Sequence, residues 1–280
     1  MPGQEFELMQ LGQLVGVLML AGLVAGFAAG LFGIGGGFVV VPALLLVFSF
    51  FGVEPMVISH VAIGTSLATI IVTSLRSVHA HNKRGAVDFQ VIRDWAPWLV
   101  LGVSGGLLVA RELDGQALKW VFAIGVLIMG VHFIYPLIRT DRMKPRQMPR
   151  GPILAGIATF LGAFSALLGI GGGTIAVLVM TACGRPIHQA IATAAGFGFI
   201  IALPGTAGFI LLGLGQADLP LGSFGYINLI AVVCVTAMSF ITAPLGVRAA
   251  HRLNAKALEK VFGVYLVATS ALVIHNSLGL

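Results

Sequence analysis

Ten apolar runs, bounded by glycine, proline or charged residues, take up most of this 280-residue chain. Most are long enough, at roughly 1.5 Å per helical residue, to cross a hydrocarbon layer about 30 Å thick. Only 9% of the residues are charged and 58% are hydrophobic, too few polar residues to cover a soluble fold. We therefore expect an all-α polytopic membrane protein. The runs lie at about 8–32, 38–51, 56–80, 91–110, 116–137, 152–168, 174–182, 187–213, 224–247 and 255–278.

The charged residues indicate what the chain handles. The formal net charge is +6, but the basic residues form short clusters between apolar runs, which is typical of membrane topology and not of nucleic-acid binding. No Asp or Glu lies in the middle of an apolar run. Since cation pathways usually need such a carboxylate, an anion is the favoured substrate. Nothing indicates a metal or other cofactor, and no ATP-binding loop is present, so the driving force is an ion or substrate gradient or a separate ATPase.

The five runs of the first half recur in order in the second half. Residues 31–37 (LFGIGGG) recur as 167–173 (LLGIGGG), and residues 60–66 (HVAIGTS) recur as 188–194 (HQAIATA). This internal duplication predicts two repeats of about five helical segments each. They comprise 1–137, a first transmembrane repeat, then 138–151, a basic linker, and 152–280, a second transmembrane repeat.

The positive residues predict that the two repeats are inverted. Residues 76–93 and the linker carry clusters of Lys and Arg, which are retained on the cytoplasmic side. In the second half, the connection equivalent to 76–93 is 213–223, which has no positive residue, and the basic cluster comes one connection later, at 248–260. Each half then makes an odd number of crossings, and both termini face away from the cytoplasm.

The second segment of each repeat is short. Residues 174–182 would span roughly 14 Å, about half of the hydrocarbon layer. This length favours a re-entrant hairpin that breaks at the glycine cluster, although residues 38–51 could cross if tilted. The chain therefore makes at least eight crossings, or ten if both short segments span.

The two glycine clusters are the main candidate binding site. Irregular backbone at membrane depth persists where protein buries it or where it lines a water-filled cavity. Bare N–H groups and the positive end of the following helix can hold an anion. The alternative is that the glycines allow close helix packing. The candidate residues are Gly33, Gly35, Gly36, Gly37, Gly169, Gly171, Gly172 and Gly173.

Polar side chains that follow the clusters complete the predicted site. Each histidine lies one or two helical turns from a threonine, so the two side chains can share a helix face. Converging from the two repeats, the histidines could donate to the anion or carry a coupling proton; alternatively, each is an interfacial residue. The candidate donors are His60, Thr65, Ser66, His188, Gln189 and Thr193.

One short match favours an enzyme instead. Residues 102–105 (GVSG) fit the G-x-S-G pattern around the serine of rhomboid intramembrane proteases, with Ser104 as nucleophile and His132 further along. In a chain with 38 glycines, chance or small-residue helix packing explains the match equally well.

Taken together, the duplicated glycine clusters, the A-x-[GA]-T stretches at 62–65 and 190–193 and the loop Lys83–Asp88 (KRGAVD) resemble those of the TauE/SafE sulfite exporter family. The likeness covers about Leu14 to Ile274. It implies a bacterial-type inner-membrane permease for small sulfur-containing anions such as sulfite or organosulfonates. A carrier and an anion channel both remain open, as does a homodimer.

Overall fold

The computed structural model describes residues 2–32, 36–135, 148–250 and 255–278. In these ranges the chain forms ten helices and one pair of two-residue strands, which confirms the all-α fold. The elements are α1 (Pro2–Phe32), α2 (Gly37–Phe50), α3 (Pro55–Asn82), α4 (Phe89–Glu112), α5 (Gly115–Ile134), α6 (Gly151–Leu168), α7 (Gly173–Ala182), α8 (Ile187–Gly213), β1 (Ser223–Phe224), β2 (Ile227–Asn228), α9 (Leu229–Ala250) and α10 (Ala255–Leu278).

Glycines with positive φ break the chain before both short helices, as predicted. Helix α6 ends at Gly169 (φ 66°), and α7 begins after Gly172 (φ 66°). Helix α2 begins after Gly36 (φ 74°). Side chains other than glycine rarely adopt this left-handed conformation, so the glycines end one helix and start the next within a few residues.

Each first helix of a half packs closely on the fourth helix of the other half. Gly22 and Gly26 of α1 lie against Val235 and Ser239 of α9. The same small-residue spacing recurs where Gly102 and Gly106 of α4 lie against α6, as in close helix pairs of membrane proteins. Both pairs run parallel. In the GVSG stretch, Gly102 therefore belongs to a helix-packing surface, whereas Ser104 and Gly105 are exposed.

Equivalent helices of the two halves run antiparallel to each other. Ser270 Oγ of α10 donates to the Ala123 carbonyl of α5 at 2.8 Å, and Gln116 Nε2 donates to the Ser277 carbonyl at 3.0 Å. Helices α3 and α8 likewise meet head to tail, with Gly64 against Phe209. The inverted relation between the halves stays a prediction, which this pairing supports.

The two ends of the bundle are named here after one residue at each. At the Asp88 end, the loop after α3 is joined to the loop after α7 by an ion pair between Asp88 Oδ2 and Arg185 Nη2 at 3.1 Å. At the Tyr226 end, the Tyr226 ring stacks on His60, and His60 Nε2 bonds the carbonyl of Ala110 near the end of α4. These contacts tie distant parts of the sequence into one helical body.

Both short helices return to the end of the bundle from which the preceding helix came. Helix α6 runs parallel to α4, which begins at the Asp88 end, and α7 leads into Arg185 at that same end. Helix α1 runs parallel to α9, which begins at the Tyr226 end, and α2 leads into the start of α3 there. The glycine breaks are therefore the tips of two re-entrant hairpins that enter from opposite ends.

The start of the ninth apolar run differs from the prediction. Residues from 224 onward do not begin a helix; β1 and β2 form a tight hairpin first, and α9 begins at Leu229. Glycines with positive φ at 222 and 225 favour the turn. Asn228 then caps α9 by accepting from Ala231 N at 2.8 Å.

Exposure of the helices fits a membrane protein built around α3. In the most apolar 18-residue window of α3, 78% of the window is buried, whereas in that of α1 the buried share is 28%. Large apolar side chains such as Leu20, Phe160 and Leu211 are more than half exposed, which suits contact with lipid. Within the described ranges, six helices are long and apolar enough to cross a membrane: α1, α3, α5, α6, α8 and α9. Helices α4 and α10 have 24 residues each, so the number of crossings stays a prediction. Among the described helices, two re-entrant hairpins leave α3, α4, α5, α8, α9 and α10 to cross, which is an odd number in each half and six in total, fewer than the expected eight.

Candidate functional site

The tips of the two hairpins meet in the middle of the bundle. A methyl group added at Gly37 would lie 2.7 Å from the Gly169 carbonyl oxygen and 2.9 Å from Ile170 Cα. The Ser66 hydroxyl, halfway along α3, donates to the same Gly169 carbonyl at 2.8 Å. The predicted clusters thus contact each other and α3. Gly33 and Gly35 lie outside the described residues, so the first tip is described only from Gly36 onward.

A cavity of about 390 Å³ lies beside the second tip and reaches the Asp88 end. Gly171 and Gly173 line it, and α7 forms one wall from Thr174 to Thr181. In the described part of the chain, no acceptor pairs with the backbone N–H groups at positions 171–174. The start of α7 therefore offers free donors and the positive end of a helix dipole. We call this space the hairpin cavity.

The unpaired hydroxyl of Thr174 is a residue that the sequence reasoning missed. The hydroxyls of Thr73, Ser74 and Thr181 also line the cavity, but each donates to a carbonyl of its own helix. Thr174 Oγ1 is buried without a partner among the described residues. A buried hydroxyl in this state costs free energy unless a ligand or water binds it. The signal was available, since Thr174 directly follows the glycine cluster.

A second unpaired hydroxyl, that of Ser165, lies at the same tip. Ser165 is fully buried, its Oγ has no partner among the residues described, and it would lie 3.0 Å from a methyl group added at Gly172. The Ser165 carbonyl accepts from Ile170 N at 3.0 Å and holds the turn. Gly172 itself faces Ile201 and Ser165, so it shapes the tip from behind.

The equivalent space at the first tip is filled by aromatic packing. Phe38 occupies the position in α2 that Thr174 occupies in α7. It is 2% exposed, and its ring meets that of Phe262 edge-on at 6.1 Å. The two tips therefore differ in polarity, and in this conformation the second tip carries the open cavity.

Thr65 and Thr193 have matching structural roles. Thr65 Oγ1 accepts from Asn228 N at 2.9 Å, and Thr193 Oγ1 accepts from Asp88 N at 3.0 Å. Asn228 and Asp88 are the N-terminal capping residues of α9 and α4. Each threonine thus fixes the start of the fourth helix of the other half, and neither lines the hairpin cavity.

The structure does not bring the two histidines together. His60 is 5% exposed at the Tyr226 end. His188 is exposed at the opposite end of the α3–α8 pair, and Gln189 beside it accepts from Arg185 Nη1 at 3.5 Å. His60 and His188 therefore cannot contact one anion at the same time. A direct role in binding stays a prediction for each.

One residue at the rim of the hairpin cavity carries a negative charge, which is unfavourable to an anion. Glu259, an exposed residue near the start of α10, lines it. Exposed carboxylates are screened by salt over about 8 Å at physiological ionic strength. Its remaining lining is apolar or hydroxylic, from α3, α7 and α8. The buried part therefore favours a small anion that is bound by N–H and O–H donors.

Comparison with known proteins decides the family. The sequence profile described as "Sulfite exporter TauE/SafE" matches residues 18–273. The chain belongs to the TauE/SafE family. A Haemophilus influenzae protein named "Probable membrane transporter protein" is 37% identical over 90% of this chain and 95% of its own. A Methanocaldococcus jannaschii protein of similar name is 28% identical over 91% and 92%. This TauE/SafE chain is a multi-pass membrane transporter.

One distant relative of this TauE/SafE chain carries an enzyme name. A Leuconostoc citreum protein named "Undecaprenyl-diphosphatase" is 26% identical over 68% of each chain. No solved structure gives a significant match.

The contacts of Ser104 in this TauE/SafE chain do not support the protease alternative. Ser104 is exposed on α4, and its hydroxyl donates to the Val100 carbonyl of its own helix at 3.0 Å. A nucleophilic serine needs a base within hydrogen-bond reach. Within the described residues, Ser104 has no histidine partner.

Proposed function

We propose that the chain is a secondary transporter for small sulfur-containing oxyanions such as sulfite or organosulfonates, and that the hairpin cavity binds them. The observation that carries the proposal is the start of α7. There, the N–H groups at positions 171–174 and the Thr174 hydroxyl, none of which has a partner among the described residues, lie beside a 390 Å³ cavity. The family name supplies the sulfur chemistry, which the donors accommodate without specifying it.

The cavity suits such a ligand in size and chemistry. A water molecule occupies about 30 Å³ in the liquid, so sulfite or methanesulfonate fits with part of its hydration. Oxygen atoms on a tetrahedral or pyramidal sulfur can accept several N–H and O–H bonds at once. Charge-assisted bonds of this kind are roughly twice as strong as neutral ones.

Alternating access follows from the arrangement of the tips. The cavity reaches the Asp88 end, whereas the contact between Gly37 and Gly169 closes the route to the Tyr226 end. Opening that route requires the tips to separate and the Ser66–Gly169 bond to break. By the positive-inside rule the Asp88 end is cytoplasmic, so this conformation faces the cytoplasm of a bacterial-type inner membrane, with both termini outside.

A flux experiment tests the proposal. Purified chain in proteoliposomes is assayed for counterflow of sulfite, methanesulfonate, sulfate, thiosulfate and acetate. We expect saturable counterflow of sulfite or methanesulfonate, and its loss in Gly171→Val. That side chain would crowd Gly198 Cα and Ile70, each 3.2–3.3 Å from the first added carbon. Flux that does not saturate would identify a channel, and acetate flux alone would reject the substrate class.

A further inference from the structure

A second cavity lies on the other side of the hairpin tips. It has a volume of about 610 Å³ at the Tyr226 end and is lined by residues of α3, α4, α8 and the loops around them. His60, Arg111, Asp114, Gln216 and Tyr226 supply its polar lining. We call it the His60 cavity. From His60 to Ile70, where the hairpin cavity begins, α3 rises by roughly 15 Å.

One ring nitrogen of His60 has no partner within the described ranges. A carbonyl oxygen can only accept, so the 3.1 Å contact to the Ala110 carbonyl means that Nε2 carries a hydrogen. The other nitrogen, Nδ1, is buried and unpaired among the described residues. Nδ1 is therefore the one atom of the ring that is free to take up a proton. The ring is held in place by stacking on Tyr226, with centroids 4.8 Å apart.

The charges of the lining explain why such a proton matters. Arg111 is positive and Asp114 is negative, so the lining is neutral as long as His60 is neutral. Asp114 is also engaged, because its Oδ1 accepts from Ala117 N at the start of α5. A proton on His60 makes the lining singly positive, which matches one monovalent anion. The other titratable groups at the Tyr226 end of the surrounding elements, which do not line the cavity, are Glu54, Glu112, Lys119 and Asp218.

The remaining lining residues supply donors without further charge. Arg111 is exposed toward the opening and forms no ion pair within the described residues. Burial raises the pKa of the Tyr226 phenol, so that side chain stays an O–H donor at neutral pH. Gln216 adds an amide. This set resembles the hairpin cavity in offering donors to an oxyanion and differs from it in having a titratable ring.

We propose that the His60 cavity is a second anion-binding site, in which a small oxyanion binds beside Arg111 together with one proton on His60 Nδ1. The identity of the anion rests on the proposed function, whereas the proton and the residues do not. An anion that leaves the hairpin tips toward the Tyr226 end thus meets a site where its charge is balanced. Transport through both sites is coupled to a proton.

Isothermal titration of the full chain in lipid nanodiscs tests this. The probe is methanesulfonate, which stays fully ionised near neutral pH. Titrations in two buffers with different heats of protonation report proton uptake. We expect two binding sites and about one proton taken up per chain. His60→Gln, whose amide can still donate to the Ala110 carbonyl, should abolish the uptake.

Matched variants separate the two sites. Arg111→Gln should weaken the proton-linked site about tenfold, equivalent to about 1.4 kcal/mol. Arg84→Gln is the charge control, because Arg84 is exposed at the Asp88 end. This variant should leave the affinity of the proton-linked site unchanged. Thr174→Val should weaken the other site and leave proton uptake intact.

The outcomes distinguish this proposal from the proposed function. Uptake that persists in His60→Gln, or a single site that only Thr174→Val weakens, overturns the second site and leaves the transporter proposal standing. A single proton-linked site that Thr174→Val does not affect supports the second site and removes the hairpin cavity as the binding site. Absence of binding to the wild type overturns both.

Discussion

At the scale of single residues, the threonine hydroxyls of this transporter have different roles. Thr65 and Thr193 accept from the capping residues of α9 and α4, whereas Thr174 has no partner among the described residues. The sequence could not separate these roles, because Asn228 is 163 positions from Thr65. The internal repeat identified Thr65 and Thr193 as equivalent, but their contacts with the capping residues became visible only in the structure.

Thr174→Val tests the unpaired hydroxyl. Valine keeps the shape and removes a hydroxyl that has no partner in the described part of the chain, so the free energy of unfolding should stay equal or rise. Anion affinity should fall by about 10- to 150-fold, since hydrogen bonds to charged groups contribute about 1.5–3 kcal/mol. Counterflow KM and thermal unfolding of the same preparation measure both. Equal affinity in the variant would remove Thr174 from the site.

A matched pair of glycine variants tests the asymmetry of the tips. At Gly173 an added methyl group meets no atom within 4 Å, whereas at the equivalent Gly37 it would collide with the Gly169 carbonyl at 2.7 Å. Gly37→Ala should therefore lower the unfolding temperature. Gly173→Ala should fold normally and reduce flux, because the methyl group enters the cavity. Thermal unfolding and counterflow decide, and equal stability of the two would contradict the contact between tips.

At the scale of elements, the glycine breaks could be predicted from sequence, because each cluster separates an apolar run from a shorter one, which at 174–182 is about half the length needed to cross. The start of α9 could not, because no charged residue or proline separates residues 224–228 from the apolar run that follows. Asn228 decides it by capping α9 and donating from Nδ2 to the Leu221 carbonyl at 2.9 Å. That pattern becomes visible only when the hairpin is known.

Substitution of the two threonines should destabilise the protein unequally. Thr65→Val would leave the Asn228 N–H unpaired in a fully buried place, which costs about 1–3 kcal/mol. Thr193→Val frees the Asp88 N–H, which is only partly buried and can reach water. Thermal unfolding in detergent should show the larger loss for Thr65→Val. A larger loss for Thr193→Val would mean that the Asp88 N–H is better shielded from water than the Asn228 N–H.

At the scale of the whole molecule, the sequence predicted the fold class and the family, whereas the two cavities required coordinates. The reason is that their walls come from helices of both halves: the hairpin cavity combines Ile70 with Thr174, and the His60 cavity combines Arg111 with Gln216. His60 and His188 do not meet because they lie at opposite ends of the antiparallel α3–α8 pair. The predicted inversion of the repeats would place equivalent positions in this way.

Sidedness is testable with cysteine labelling. Gln216 and Lys83 are exposed at the Tyr226 and Asp88 ends. We expect Gln216→Cys to react with a membrane-impermeant maleimide on intact cells, and Lys83→Cys to react only after permeabilisation. The parent protein, with Cys183 and Cys234, is the background control. The opposite pattern would reverse the assigned orientation.

The short stretch of α3 between the cavities has an electrical consequence. If water fills both hollows, nearly the whole membrane voltage falls across roughly 15 Å of protein, and the field there is about twice that across lipid. A bare anion pays or gains about 2.3 kcal/mol per 100 mV in that one step. An anion accompanied by a proton crosses as a neutral pair, so the membrane voltage does no work on it and does not set the direction of transport.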